Sequence, residues 1–128
     1  MPSDAKHSLK LSLQALAQPA DFQLLLLDSW AEPPAELPER VVQAWRALLA
    51  RNTDVTPEQR SAMSALFDKI EAFSGPSNNE HWSEYGLRES EHWNHVRSRA
   101  RTCLDAFHWP LEAPPLDIKD YGEDFSSP

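Results

Sequence analysis

The histidines and tryptophans of this chain recur at a spacing that could support chemistry. Glu80-His81-Trp82 returns eleven residues later as Glu91-His92-Trp93, and His108-Trp109 echoes the pair once more. On one continuous helix that interval is about three turns, which sets His81 and His92 on one face. His95 then follows His92 at the i, i+3 spacing from which two imidazoles can share an ion. A helical-bundle metal-binding enzyme using His81, His92 and His95, with Glu80 or Glu91 nearby, is one reading of the pattern. Three features oppose it: Gly86 weakens a continuous helix, a zinc site needs three or four ligands, and Arg99 puts a cation one turn beyond His95. The competing reading makes Trp93 a core residue, leaves His92 and His95 at the boundary or surface, and needs no metal or cofactor. Trp82 then packs over a loop or, with Tyr85 and Trp109, serves as a partly exposed aromatic anchor for another protein.

Other catalytic patterns are missing. The chain has three glycines, Gly75, Gly86 and Gly122, so no glycine-rich phosphate loop and no G-x-S-x-G nucleophile elbow can be written. H-E-x-x-H and C-x-x-C are absent as well. Cys103 falls on an apolar stripe with no histidine one turn away, which describes a buried thiol and not a nucleophile. Arg97, Arg99 and Arg101, with Arg88 upstream, form a local basic patch. Glu89, Glu91 and Asp105 interrupt it, and nucleic-acid binding needs a coherent positive field, so a solvated, salt-bridged face is expected there. A non-enzymatic role follows as the expectation.

The charge is unevenly distributed. Residues 110–128 hold Glu112, Asp117, Asp120, Glu123 and Asp124 against Lys119, so they supply −4 of the net −8. Ile118, Tyr121 and Phe125 recur every three or four residues among those carboxylates. Carboxylates so spaced can imitate phosphates and steer a basic surface into contact, while the apolar side chains supply desolvated anchors. Trp82, Tyr85, Asp117, Ile118, Asp120, Tyr121, Glu123, Asp124 and Phe125 are accordingly the candidate partner-binding residues. The partner they suit is a basic protein; nucleic acid and anionic membrane would be repelled.

The elements that must position these residues are helical. Leu9, Leu13 and Leu16 share a face, although Leu9, Leu11 and Leu13 would also suit a strand. Asp21–Trp30 places Phe22, Leu25, Leu26 and Trp30 on one side, which predicts a largely buried helix. After the Glu32-Pro33-Pro34 break, Pro38 is suited to a first helical position, and Val41, Trp45, Leu48 and Leu49 continue to about Ala50. Thr56-Pro57-Glu58-Gln59 reads as a capping box, with Met63, Leu66, Phe67, Ile70 and Phe73 behind it and Gly75-Pro76 as the stop. A short helical piece is expected over Glu80–Tyr85. Trp93, Val96, Ala100, Cys103, Leu104 and Phe107 then form the longest stripe, closed by Pro110. The fold class is therefore all-α, a compact bundle of five or six short helices over residues 1–109 with an extended acidic, proline-rich tail over 110–128.

A length of 128 residues can bury a single core without disulfides, and the lone cysteine suggests a reducing compartment. No apolar stretch approaches the roughly 20 residues of a membrane span, so a cytoplasmic location is expected. Small size, acidity and missing catalytic motifs together favour a protein-binding inhibitor. Its most concrete form is an immunity or antitoxin-type protein that neutralises a cognate toxin by covering its basic active-site cleft. A regulatory adaptor that recruits a partner through the acidic tail is the other binding alternative.

Overall fold

The computed structural model describes residues 5–51 and 54–117. Among them are six α-helices, α1 Ala5–Leu16, α2 Ala20–Trp30, α3 Glu36–Ala50, α4 Pro57–Glu71, α5 Glu84–Glu89 and α6 Glu91–Ala106. A 3-10 segment, Pro76–Trp82, links α4 to α5, and no strand is present among the described residues. The all-α expectation holds. Helix α1 packs along α3 on one side and α6 on the other, and α6 in turn packs along α4. Helix α5 rests on the 3-10 segment and touches α2 and α6.

The central position of α1 settles its ambiguous pattern. Leu9, Leu13 and Leu16 are all fully buried, each contributing about 2 kcal/mol by leaving water. Leu11 is buried too, as are Ser8, Ser12 and Gln14, so neighbours surround this helix and both of its leucine registers are satisfied. The serines are tolerated because they are small and because Ser12 Oγ donates back to the Ser8 carbonyl at 2.7 Å.

Helix boundaries follow local chemistry. Thr56 caps α4 as its sequence implies: Gln59 N donates to Thr56 Oγ1 and Thr56 N to Gln59 Oε1, both at 3.0 Å. Gln59 Nε2 also reaches the Ala106 carbonyl at 3.3 Å, tying the start of α4 to the end of α6. Helix α3 begins at Glu36, two residues before the expected Pro38, because Pro38 loses no needed donor in the first turn. Two helices end on a non-glycine residue of positive φ, Ala31 (57°) after α2 and His108 (60°) after α6. In both, a 6→1 bond closes the turn, Glu32 N to Leu27 O and Trp109 N to Leu104 O.

Two expectations need correction. Leu25 was placed on the buried side of α2, but it is 58% exposed, and the buried set is Gln23, Leu26, Leu27 and Trp30. Arg97 was assigned to a solvated face, yet it is only 6% exposed. The two errors share one cause, because Arg97 Nε donates to Gln23 Oε1 at 3.0 Å inside the bundle. Arg97 also donates to the Asn94 side chain and to the Leu87 carbonyl, while Gln23 Nε2 holds the Ala15 and Leu16 carbonyls at the end of α1. A buried cation without hydrogen bonds would cost several kcal/mol. Three neutral acceptors offset that cost and join α1, α2, α5 and α6. Burial first, and Arg101 second, pull the Arg97 guanidinium below its ordinary pKa.

Candidate functional site

The repeated histidine and tryptophan residues meet at one corner of the bundle, but as a stack of rings. Phe73 is fully buried between two parallel neighbours, the Trp82 indole at 4.6 Å and the His92 imidazole at 4.9 Å between centroids. Trp93 meets Phe73 and Trp82 edge-on, and His81 meets His92 edge-on at 4.9 Å. The indole donors are used internally: Trp82 Nε1 donates to the Phe73 carbonyl and Trp93 Nε1 to the His81 carbonyl, each at 2.7 Å. Offset and edge-to-face ring pairs add about 0.5–1.5 kcal/mol each beyond area burial. His95 is exposed on α6 and takes no part in the stack. Among the described residues no group of three or more His, Cys, Asp or Glu side chains is placed to hold a metal ion.

Gly86 makes this corner possible. It lies inside α5 and does not end it, and a Cβ there would sit 2.4 Å from the His81 carbonyl oxygen. The missing side chain lets α5 close onto the 3-10 segment. The short helical piece expected over Glu80–Tyr85 is thus two elements meeting at Ser83, whose hydroxyl caps α5 by accepting from Gly86 N at 3.0 Å.

The expected anchors separate. Trp82 is half-buried in the stack and its remaining face lines a groove with Pro38, Val42 and Ile70 between α3 and α4. Tyr85 is 75% exposed and borders a different, smaller concavity with Glu80 and Glu89. Trp109 stacks on Phe107 at 4.5 Å. Asp117 is exposed at the end of the described chain; Ile118, Asp120, Tyr121, Glu123, Asp124 and Phe125 lie outside the described residues. Cys103 is fully buried, its Sγ bonded to the Ala62 carbonyl at 3.3 Å, and burial pushes its thiol up to about 12. It is an inert core residue.

A second region was not singled out by its residues. At the carboxyl end of α2 a concavity of about 490 Å³ is walled by Leu24, Leu27, Pro33 and Pro34. Among the described residues the charged side chains lining it are Asp28, Glu32 and Glu84, and no basic one borders it. Helix α5 contributes Glu84 by resting against α2, where the exposed Arg88–Asp21 ion pair at 2.6 Å adds little beyond registration. The left-handed Ala31 closes the helix at this wall, so the negative end of the α2 dipole adds to the three carboxylates. Nearby arginines are engaged elsewhere. Arg88 pairs with Asp21, Arg97 is enclosed, and Arg40 lies over the Trp30 ring at 5.8 Å with its Nε 3.0 Å from Glu36. That last contact is an ion pair without hydrogen-bond geometry, since Arg40 Nε has no hydrogen-bond partner. Burial raises the Glu36 carboxyl above its ordinary pKa despite Arg40, with Glu32 and Glu39 adding to the effect.

The fold and this site define an all-α protein carrying an acidic concavity with apolar walls. No protein-family model matches the chain, no curated protein is significantly similar to it, and no solved structure matches it significantly. No helix among the described residues is long and apolar enough to cross a membrane.

Proposed function

We propose that this protein acts by binding a basic protein, most concretely as an immunity or antitoxin-type inhibitor that covers the basic active-site cleft of a cognate toxin in the cytoplasm. The observation that carries the reading is the concavity at the end of α2. Its three carboxylates and helix terminus face a space whose walls are aliphatic. An arginine or lysine side chain fits that combination, with its methylene stem against Leu24, Leu27 and the prolines and its cationic head among Asp28, Glu32 and Glu84. The skewed charge of residues 110–128 supports the same partner chemistry, because it raises the encounter rate with a basic surface. Tyr85 remains the exposed aromatic suited to anchoring.

The test joins a defined probe to the native partner. A short arginine-containing peptide titrated into the protein should shift the amide resonances of Leu24, Leu27 and Ala31, and the Asp28→Asn, Glu32→Gln, Glu84→Gln triple variant should lose that response. The protein that co-purifies from native cells should be basic and lose its activity on addition of this chain. Its association should slow about tenfold with the triple variant and with rising salt. A neutral or acidic partner, or a basic one indifferent to all three substitutions, would overturn the reading.

A further inference from the structure

The segment that follows α6 is held in an unusual way. Gln14 Nε2 donates to the Pro110 carbonyl at 2.9 Å and Gln18 Nε2 to the Glu112 carbonyl at 3.0 Å. At the other end, Ser29 Oγ and Trp30 Nε1 converge on the Leu116 carbonyl at 3.1 and 3.0 Å. All four bonds run from side chains of α1, α2 and the turn between them to backbone oxygens of the segment. Gln14, on α1, and Gln18, in the turn that follows it, stand four residues apart and both are buried, so their amides form a short ladder along the path. Of the segment's own side chains only Pro114 is buried, while Leu111, Glu112, Ala113, Pro115 and Leu116 are exposed. The basic residues of α6 play no part in these four bonds.

This is the grammar of extended-peptide recognition. Backbone bonds supply affinity whatever the side chains, and one pocket reads one residue. Three prolines, Pro110, Pro114 and Pro115, fix φ and bias their preceding residues toward extended backbone, which turns carbonyls outward. An indole N–H and a pair of amides are suited to receive them. Four bonds that end on backbone oxygens are open to another chain with the same backbone.

We infer that the channel across α1 and α2 is a receptor for an extended, proline-containing peptide of another protein, and that residues 110–117 occupy it as a displaceable internal ligand. The Pro114 pocket sets the specificity and Trp30 and the two glutamines grip the backbone. The internal ligand competes at an effective concentration in the millimolar range, so a partner peptide must bind in that range or better, or arrive tethered to a second contact. This inference stands apart from the acidic concavity, which lies on other residues of α2.

The probe is a fluorescein-labelled peptide with the sequence of residues 110–117, followed by anisotropy against the full chain and against a full chain carrying Pro114→Asp, which ejects the internal copy. The variant should bind the peptide at least about tenfold more tightly than the unmodified chain, since the competitor is gone. Adding Trp30→Phe, which keeps the ring and deletes the donor, should weaken binding about fivefold, as should replacing the two adjacent prolines of the peptide by glycine. Amide chemical shifts supply a measurement that needs no variant: saturating peptide should move the resonances of Leu111, Glu112 and Ala113 of the unmodified chain to random-coil positions. Resonances that stay in place overturn the inference, and so does absence of peptide binding by a Pro114→Asp chain that retains its helical circular dichroism. Concentration-dependent dimers that exchange the segment between copies, with no displacement by free peptide, would overturn it in favour of a second copy as the occupant.

Discussion

The ring stack around Phe73 and the concavity at the end of α2 use their polar groups in opposite ways. At the stack, histidine, tryptophan and glutamate recur at spacings that resemble a metal site, yet each indole N–H is spent on a backbone carbonyl and the imidazoles lie against other rings. At the concavity, three ordinary surface carboxylates, from α2, the loop after it and α5, converge with no cation among the described residues lining the space. Residue type marks neither region's role. What separates them is whether the polar groups are satisfied within the chain, because internally satisfied groups stabilise the fold and the remainder are available for binding.

Substitutions can break that contrast, beginning with the largest effect. Phe73→Ala removes the ring that His92 and Trp82 enclose and should destabilise the protein by about 3–5 kcal/mol in denaturant unfolding. A loss below about 1 kcal/mol would mean the stack is peripheral. Gly86→Ala drives a methyl group into the His81 carbonyl and should cost about 1–3 kcal/mol, read as a lower midpoint with an unchanged m-value. Helical circular dichroism should persist in both.

Changes at the other region should leave the fold alone or improve it. Ala31→Gly relieves the left-handed backbone at the wall of the concavity and should raise stability by about 0.5–1 kcal/mol, with the carboxylates untouched. Smallest are the surface changes. Tyr85→Ala, and each of Asp28→Asn, Glu32→Gln and Glu84→Gln, should move stability by no more than about 0.5 kcal/mol. If any of the three carboxylates proved to carry more than about 2 kcal/mol of folding stability, the region would belong with the stack and not with a binding surface.

Much of the bundle is legible in the amino-acid order because it is set by short-range chemistry. Thr56 and Gln59 form their capping box within three residues, and the apolar period of α6 places Trp93, Val96, Ala100, Cys103 and Leu104 in the core as expected. The same period carried a signal for Arg97, which stands four residues after Trp93 on that stripe. Hydropathy hid it, since a cation is placed inside only when acceptors from other elements wait there, and Gln23 is 74 positions away. Leu25 was misplaced for the reciprocal reason: Gln23 took the inward position and rotated the buried face of α2.

The sequence by itself determined that the chain is helical, where most helices begin and end, that Cys103 is enclosed and that negative charge gathers toward the carboxyl terminus. Those properties depend on neighbours within a turn or two, or on composition. Only the tertiary structure decided that His81 and His92 meet as rings, that Glu84 joins Asp28 and Glu32, and that Gln14 and Gln18 hold the backbone of residues 110–112. Each of these depends on which elements pack together, and hydrogen bonds and charge clusters formed across such contacts leave no periodic trace in the order of residues.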